Sequence, residues 1–177
     1  AAAEKMSLSS TGDLTVSGDI AADNFKFGGT NFTSSLLIGH STTGTLNAAQ
    51  YNTGVGFTAL DAITSGDNNT AFGSGSGSVN TSASQNTYLG TVAGARLATG
   101  SGYNSYIGYG TGYFNATGAF NTGVGSQALM GADAQSNTGN TAVGYNSAKV
   151  ITTGDYNITL GYTAGDNITS GSGNVVI

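Results

Sequence analysis

The chain has 177 residues, of which 30 are Gly and 7% are charged, and its formal net charge is −5. Gly, Asn, Ser and Thr make up about half of it, whereas an ordinary globular domain carries about 7% Gly and about 25% charged residues. The absence of Cys excludes disulfide scaffolds, thiolate metal sites and cysteine nucleophiles. Four Lys and Arg cannot neutralise a phosphate track, so nucleic acid is not an expected partner. No apolar run approaches the roughly 20 residues of a membrane-spanning helix, so no membrane insertion is expected.

Residues 1–33 come first and carry no basic-then-apolar leader pattern. Met6-Ser7-Leu8-Ser9 and Leu14-Thr15-Val16 alternate apolar and polar residues, which predicts short strands. Turn residues at Thr11-Gly12-Asp13 and Ser17-Gly18-Asp19 separate them. Ile20, Phe25, Phe27 and Phe32 are placed to close the open end of whatever follows. The segment reads as a β shaft or cap.

Residues 34–177 repeat one phrase: Asn, a hydroxyl or apolar residue, any residue, an apolar residue, Gly. It occurs as Asn52-Thr53-Gly54-Val55-Gly56, Asn69-Thr70-Ala71-Phe72-Gly73 and Asn86-Thr87-Tyr88-Leu89-Gly90. It continues as Asn104-Ser105-Tyr106-Ile107-Gly108, Asn121-Thr122-Gly123-Val124-Gly125, Asn140-Thr141-Ala142-Val143-Gly144 and Asn157-Ile158-Thr159-Leu160-Gly161. Ser35-Leu36-Leu37-Ile38-Gly39 is a degenerate first copy, and the glycines recur at spacings of 17, 17, 17, 18, 17, 19 and 17. Asn174-Val175-Val176-Ile177 begins another copy, so the chain reads as cut inside a repeat.

Four residues beyond the apolar position stands a small residue, such as Ala59, Ser76, Ala93 or Ala128. Eight beyond it stands a second, usually apolar one: Leu46, Ile63, Leu97, Ala132, Ile151 and Ile168, with Asn80 and Asn115 as the breaks. Gly- and Asn-rich turns close each copy, as in Thr64-Ser65-Gly66-Asp67-Asn68. A period near 17 is too short for paired helices, and Thr, Val, Ile and Tyr favour strands. The prediction is therefore all-β: a parallel β-solenoid of about eight 17-residue coils, each made of two short strands and two turns. About two bulky apolar side chains per coil offset only part of the entropy lost on ordering 17 residues. Association with identical copies, buried against a second face, follows as an expectation.

The Asn-Thr-x-apolar-Gly phrase with its trailing small residue resembles the head repeats of trimeric autotransporter adhesins. The longer period, with Leu14-Thr15-Val16-Ser17-Gly18-Asp19-Ile20 ahead of the array, looks more like bacteriophage tail-fibre proteins. The resemblance implies a left-handed β-roll of three chains, an elongated homotrimer exposed outside the cell on a virion tail fibre. A bacterial cell surface is the alternative location. It also implies contact with a host-cell-surface glycan or protein.

Few residues suggest chemistry. Gly54-Val55-Gly56-Phe57-Thr58-Ala59 and Gly123-Val124-Gly125-Ser126-Gln127-Ala128 fit a dinucleotide-binding pattern, but that motif needs a long helix after the glycines, and a turn follows instead. His40 is the single His and takes the place of Phe57, Tyr109, Tyr145 and Tyr162 in other copies. Asp67, Asp155 and Asp166 beside turn glycines read as turn caps rather than calcium ligands. No nucleophile–base pair or carboxylate pair stands out, so no enzyme activity, catalytic residue, metal site or cofactor is expected. Tyr103, Tyr106, Tyr109, Tyr113 and Phe114, with Phe120 nearby, form the densest aromatic cluster. Aromatic faces beside amides can stack on sugar rings, which makes these residues the candidate glycan or receptor contact, against ordinary packing between coils. A monomeric ice- or calcium-binding solenoid is a third reading.

Overall fold

The structure is a computed structural model that describes residues 6–8, 14–16, 25–29, 32–38, 48–99, 102–132 and 136–177. Strands β1 (Met6–Leu8) and β2 (Leu14–Val16) pair antiparallel as a separate two-stranded sheet. Strand β3 (Phe25–Gly29) pairs antiparallel with β4 (Phe32–Ile38), and β4 opens the main sheet. A two-residue strand, β5 (Ala49–Gln50), also pairs with β4. Then come β6 (Thr53–Val55), β7 (Thr70–Phe72), β8 (Thr87–Leu89), β9 (Ser105–Ile107), β10 (Thr122–Val124), β11 (Thr141–Val143), β12 (Ile158–Leu160) and β13 (Val175–Val176). Each pairs in parallel with the next, and β4 pairs with β6 in the same way.

The fold is thus all-β, a parallel β-solenoid of about seven coils of about 17 residues, with no helix among the described residues. Part of the first expected copy, including His40, Thr42 and Leu46, lies outside the described residues. Leu36, Thr53, Thr70, Thr87, Ser105, Thr122, Thr141, Ile158 and Val175 share one register position, so the insertions in the 18- and 19-residue copies leave the strands aligned.

Each coil contributes one strand, not the expected two. The segment that was to form the second strand carries left-handed backbone at two places per coil: Thr58 and Leu60 at φ 57° and 55°, Gly75 and Gly77 at 69° and 57°, Asn146 and Ala148 at 56° and 48°. Such dihedrals are incompatible with extended β geometry. The face is still knitted across coils, because Leu60 N–H donates to Ser76 O, Gly77 to Ala93, Gly94 to Thr111 and Gly112 to Ala128, at 2.9–3.0 Å.

The apolar residue before each repeat Gly was expected to fill the core, and it does not. Phe72, Leu89, Ile107 and Leu160 are exposed, and Val55, Val124 and Val143 half-buried. Side chains alternate along a strand, so the residue before it points inward: Leu37, Gly54, Ala71, Tyr88, Tyr106, Gly123, Ala142 and Thr159 line the interior. The residue six further on fits that one in volume. Gly54 stands with Leu60 and Gly123 with Leu129, while Tyr88 stands with Gly94 and Tyr106 with Gly112. A Cβ at Gly94 or Gly112 would run into the tyrosine ring of its own coil. Of the eight-residue column, Ile63, Leu97 and Ile151 are buried and Ile168 packs against the core, whereas Ala132 is exposed.

The first residue of the phrase does most to align the coils. Asn52, Asn69, Asn86, Asn104, Asn121, Asn140 and Asn157 are all buried. Each passes its hydrogen bonds along the axis. Asn69 Oδ1 accepts from the backbone N–H and the Nδ2 of Asn86, both at 3.0 Å, while Asn69 Nδ2 donates to Asn52 Oδ1 at 3.0 Å and to Ala83 O at 2.9 Å. The same set recurs at Asn104, Asn121, Asn140 and Asn157. The column leaves no amide of the ladder unpaired, which is what makes burying it tolerable. The glycines after the strands stack with equal strictness. Gly90 sits at φ +135°, and a Cβ there would lie 2.6 Å from the Gly108 carbonyl of the next coil.

Asn104→Ala orphans the backbone N–H of Asn121 and one of its two Nδ2 hydrogens, the other remaining on Asn137 O. A loss of about 2–4 kcal/mol in urea unfolding is expected, since each unpaired buried donor costs about 1–3 kcal/mol. Gly90→Ala should lose at least as much, because strained φ and a backbone clash combine. Thr87→Val, on the outward side of the same sheet, should change stability by less than about 0.5 kcal/mol.

Candidate interaction surface

Three exposed columns run along the outside of the rod. One is the apolar sheet column from Val55 to Leu160, flanked by Thr53, Thr70, Thr87, Ser105, Thr122 and Thr141. The second holds Phe57, Tyr109, Tyr145 and Tyr162, two residues past the first along each coil. Tyr145 and Tyr162, on successive coils, stack with ring centroids 5.2 Å apart. The third stands just before the buried Asn and holds Tyr51, Tyr103, Phe120 and Tyr156. Tyr103 and Phe120 stack at 5.0 Å.

Local backbone geometry aims this third column outward. Tyr51, Tyr103, Phe120 and Tyr156 all have φ between 56° and 60°. A non-Gly residue there costs of order 1–3 kcal/mol and persists where surrounding contacts over-determine it. Here the N–H of Tyr103 donates to Ser84 O at 3.2 Å, that of Phe120 to Gly102 O at 3.1 Å and that of Tyr156 to Thr138 O at 3.0 Å, each on the preceding coil.

The sequence-derived aromatic cluster is divided by the fold. Tyr103 and Tyr109 are exposed, at 55% and 56%. Tyr113 and Phe114 are half-buried and meet edge to face, with centroids 4.5 Å apart. Tyr106 is fully buried and faces the core, which removes it from any surface site. It occupies the inward position of its strand, where the alternation of the pleat leaves it no access to solvent. Its ring stacks on Tyr88 of the preceding coil at 6.3 Å, and its hydroxyl accepts from Asn115 Nδ2 at 2.7 Å. Asn115, which interrupts the apolar column in the sequence, is thus the polar partner of a buried phenol. Asn80 interrupts it too and lies near the Tyr88 phenol, but its amide is engaged with the backbone of Ala83. The Tyr88 hydroxyl has no hydrogen-bond partner.

Around Tyr113 the surface is concave. An open groove of about 670 Å³ is lined by Phe57, Thr58, Ser74, Ser78, Val79, Val92, Arg96 and Tyr113, among others. Val92 and Tyr113 also border a smaller depression of about 210 Å³ with Tyr109, Gln127 and Met130. Arg96 is exposed and its guanidinium carbon lies 5.6 Å from the centroid of the Phe114 ring, within cation–π range.

The remaining candidates take structural places. The two Gly-x-Gly segments run from a strand into a corner and turns, so no helix N-terminus faces a phosphate. Asp67 Oδ1 accepts from Gln50 N–H and Asp155 Oδ1 from Thr138 N–H, both at 2.7 Å and both on the preceding coil. Asp166 accepts from the side chain of Asn167. Among the described residues no three His, Cys, Asp or Glu come together as a metal-holding group, and no helix is long and apolar enough to cross a membrane. No family model, curated protein or solved structure matches the chain.

Burial, then the neighbouring Tyr106, push the Tyr88 phenol well above its ordinary range, against a smaller opposing pull from Asn80. Burial likewise raises Tyr106, with Asn115 and Asn121 opposing. Both folded pKa values lie above the unfolded value of about 10, so their contribution to stability is complete below about pH 10 and is lost as pH rises beyond it. Denaturant midpoints should therefore be flat to about pH 10 and fall above it. At neutral pH, Tyr106→Phe should cost about 1–2 kcal/mol by leaving Asn115 underpaired. Tyr88→Phe removes an unpaired buried hydroxyl, and it should be neutral or stabilising by up to about 1 kcal/mol.

Proposed function

We propose that the chain forms a segment of an extracellular fibre, a rigid homotrimeric rod that presents or forms host-cell attachment contacts. A bacteriophage tail fibre is the first choice of setting, and the head of a bacterial surface adhesin would use the same assembly. The observation that carries the reading is the outward apolar column. Val55, Phe72, Leu89, Ile107, Val124, Val143 and Leu160 follow one another up the sheet at the coil spacing of about 4.8 Å. A contiguous apolar stripe of this kind marks an association surface. A second and third copy of the same rod present the same stripe at the same spacing, so identical chains are its most complementary partners. The resemblance of the repeat phrase to fibre and adhesin repeats supports three as the number. Three copies also triple any weak attachment contact, which raises avidity without a new contact.

Native mass spectrometry should give the mass of three chains. The double substitution Leu89→Glu and Ile107→Glu places six carboxylates in the centre of the trimer, and it should shift the population to single chains while the β signature in circular dichroism persists. A wild-type protein that runs as one chain at high micromolar concentration would overturn the assembly.

A further inference from the structure

We propose that neighbouring copies of the chain meet flank to opposite flank, with Tyr51, Tyr103 and Tyr156 of one copy packed at equal height against Phe57, Tyr109 and Tyr162 of the next. The proposal rests on the association of sheet columns argued above, and it names the residues that complete that contact.

Symmetry supplies the first reason. Parallel copies set in a ring turn their sheet columns toward one axis, and each copy then offers its two flanks to two neighbouring surfaces. Such a contact is heterologous: the flank before the strand on one copy meets the flank after the strand on the next. A rotation axis along the rods leaves every coil at its own height, so each coil faces the same coil of its neighbour.

The residues of the two flanks supply the second. One flank lies four residues ahead of the outward apolar residue, and the other lies two residues beyond it. On three coils both positions are aromatic: Tyr51 with Phe57, Tyr103 with Tyr109, and Tyr156 with Tyr162. On two coils both are polar and exposed: Asn68 with Ser74, and Gln85 with Thr91. The remaining two coils are neighbours, and their departures complement each other. Phe120 stands level with Ser126, and Gly139 with Tyr145, so the two rings lie one coil apart on opposite flanks and meet on the diagonal. Within any one coil a three-residue strand, the Asn before it and the Gly after it separate the two positions. Contact within the chain therefore does not account for the match. Between copies, the match sets ring on ring and amide beside hydroxyl.

Area supplies the third. The six residues of the aromatic pairs are 55% to 76% exposed. At about 150–250 Å² for a fully buried ring, covering them removes roughly 600–900 Å² from water at each contact. The sheet column between the flanks adds Phe72, Leu89, Ile107 and Leu160, all exposed in the single chain. The total approaches the ~1,200–2,000 Å² of a stable interface.

The chain has no Cys, so engineered thiols report without background. Gln85→Cys combined with Thr91→Cys places one thiol on each flank at one height. Within a chain, strand Thr87–Leu89 holds the two apart, because a disulfide needs Cα atoms about 4.4–6.8 Å from each other. On mild copper-catalysed oxidation of the intact assembly, the double variant should form covalent dimers and closed trimers on a non-reducing gel. Each single variant should remain as single chains. Tyr103→Ala and Tyr109→Ala should each raise the dissociation constant of the assembly at least about tenfold. Their combination should raise it far less than the product of the two, since residues in contact are not additive. Native mass and circular dichroism of the reduced variants check that each is assembled and folded. A protein that runs as a single chain overturns the fibre assembly and this contact together. An assembled protein in which the Cys pair stays unlinked while the two tyrosine effects multiply overturns this contact alone and leaves the assembly standing. Disulfides in the single variants also overturn it, because they set like flank on like flank, as an antiparallel arrangement does.

Discussion

The structure depends on register between coils, and register depends on a column of buried asparagines. Each amide oxygen accepts from the next coil's backbone and side chain, and each amide nitrogen donates to the previous amide and to a turn carbonyl. A slip of one residue would leave several buried polar groups without partners, at a cost of about 1–3 kcal/mol for each. Apolar packing alone would enforce this less strictly, because a hydrophobic contact has no preferred direction. The polar ladder makes one alignment much better than the others, and the strands, the left-handed corners and the outer columns inherit it.

The interior is accordingly thin and sized coil by coil. Large side chains alternate between two wall positions. Where the strand contributes Tyr88 or Tyr106, the opposite wall contributes Gly94 or Gly112, and where the strand contributes Gly54, the opposite wall contributes Leu60. Ala71 and Gly77 are small at both places, and the gap is filled from above and below: a Cβ at Gly77 would meet the Tyr88 ring at 2.8 Å and Leu60 at 3.1 Å. Packing therefore spans adjacent coils even though each coil has few bulky residues. This is how a chain with little aliphatic content builds a continuous core.

A rod wound this tightly leaves much of its large apolar surface outside. Phe72, Leu89 and Leu160 on the sheet, and Phe57 and Tyr162 beside it, are solvated in the single chain. Their arrangement in straight columns is imposed by the Asn register. The interior thus determines what the exterior can offer: linear, evenly spaced strips of one chemistry, suited to long partners such as a parallel copy of the rod or a polymeric ligand. Compact small-molecule pockets are disfavoured by the same geometry, and the two concave regions described around Tyr113 are open grooves between columns.

The period, one strand in each coil and the solenoid class were legible in the sequence, because Gly and apolar residues recur at nearly constant spacing and a 17-residue unit has few ways to stack. The Gly- and Asn-rich turns that close each copy were legible for the same reason, whereas the left-handed corners that stand in place of the expected second strand were not. Two assignments were out of reach of periodicity. The apolar residue before each Gly and the variable residue before it look alike as candidates for the interior, and hydrophobicity favours the wrong one. Only the pleat shows that Tyr88, Gly123 and Thr159 point inward while Leu89, Val124 and Leu160 point out. The aromatic cluster divides on the same ground: Tyr103 and Tyr109 face solvent, and Tyr106 is core. The strict recurrence of Asn, at a place where its neighbours vary, was the visible sign of the ladder, but its hydrogen bonds exist only between coils 17 to 19 residues apart. The sequence by itself determined that this chain winds. Tertiary structure decided which side of each strand is buried, since that depends on the phase of a two-residue alternation that a 17-residue repeat does not reveal.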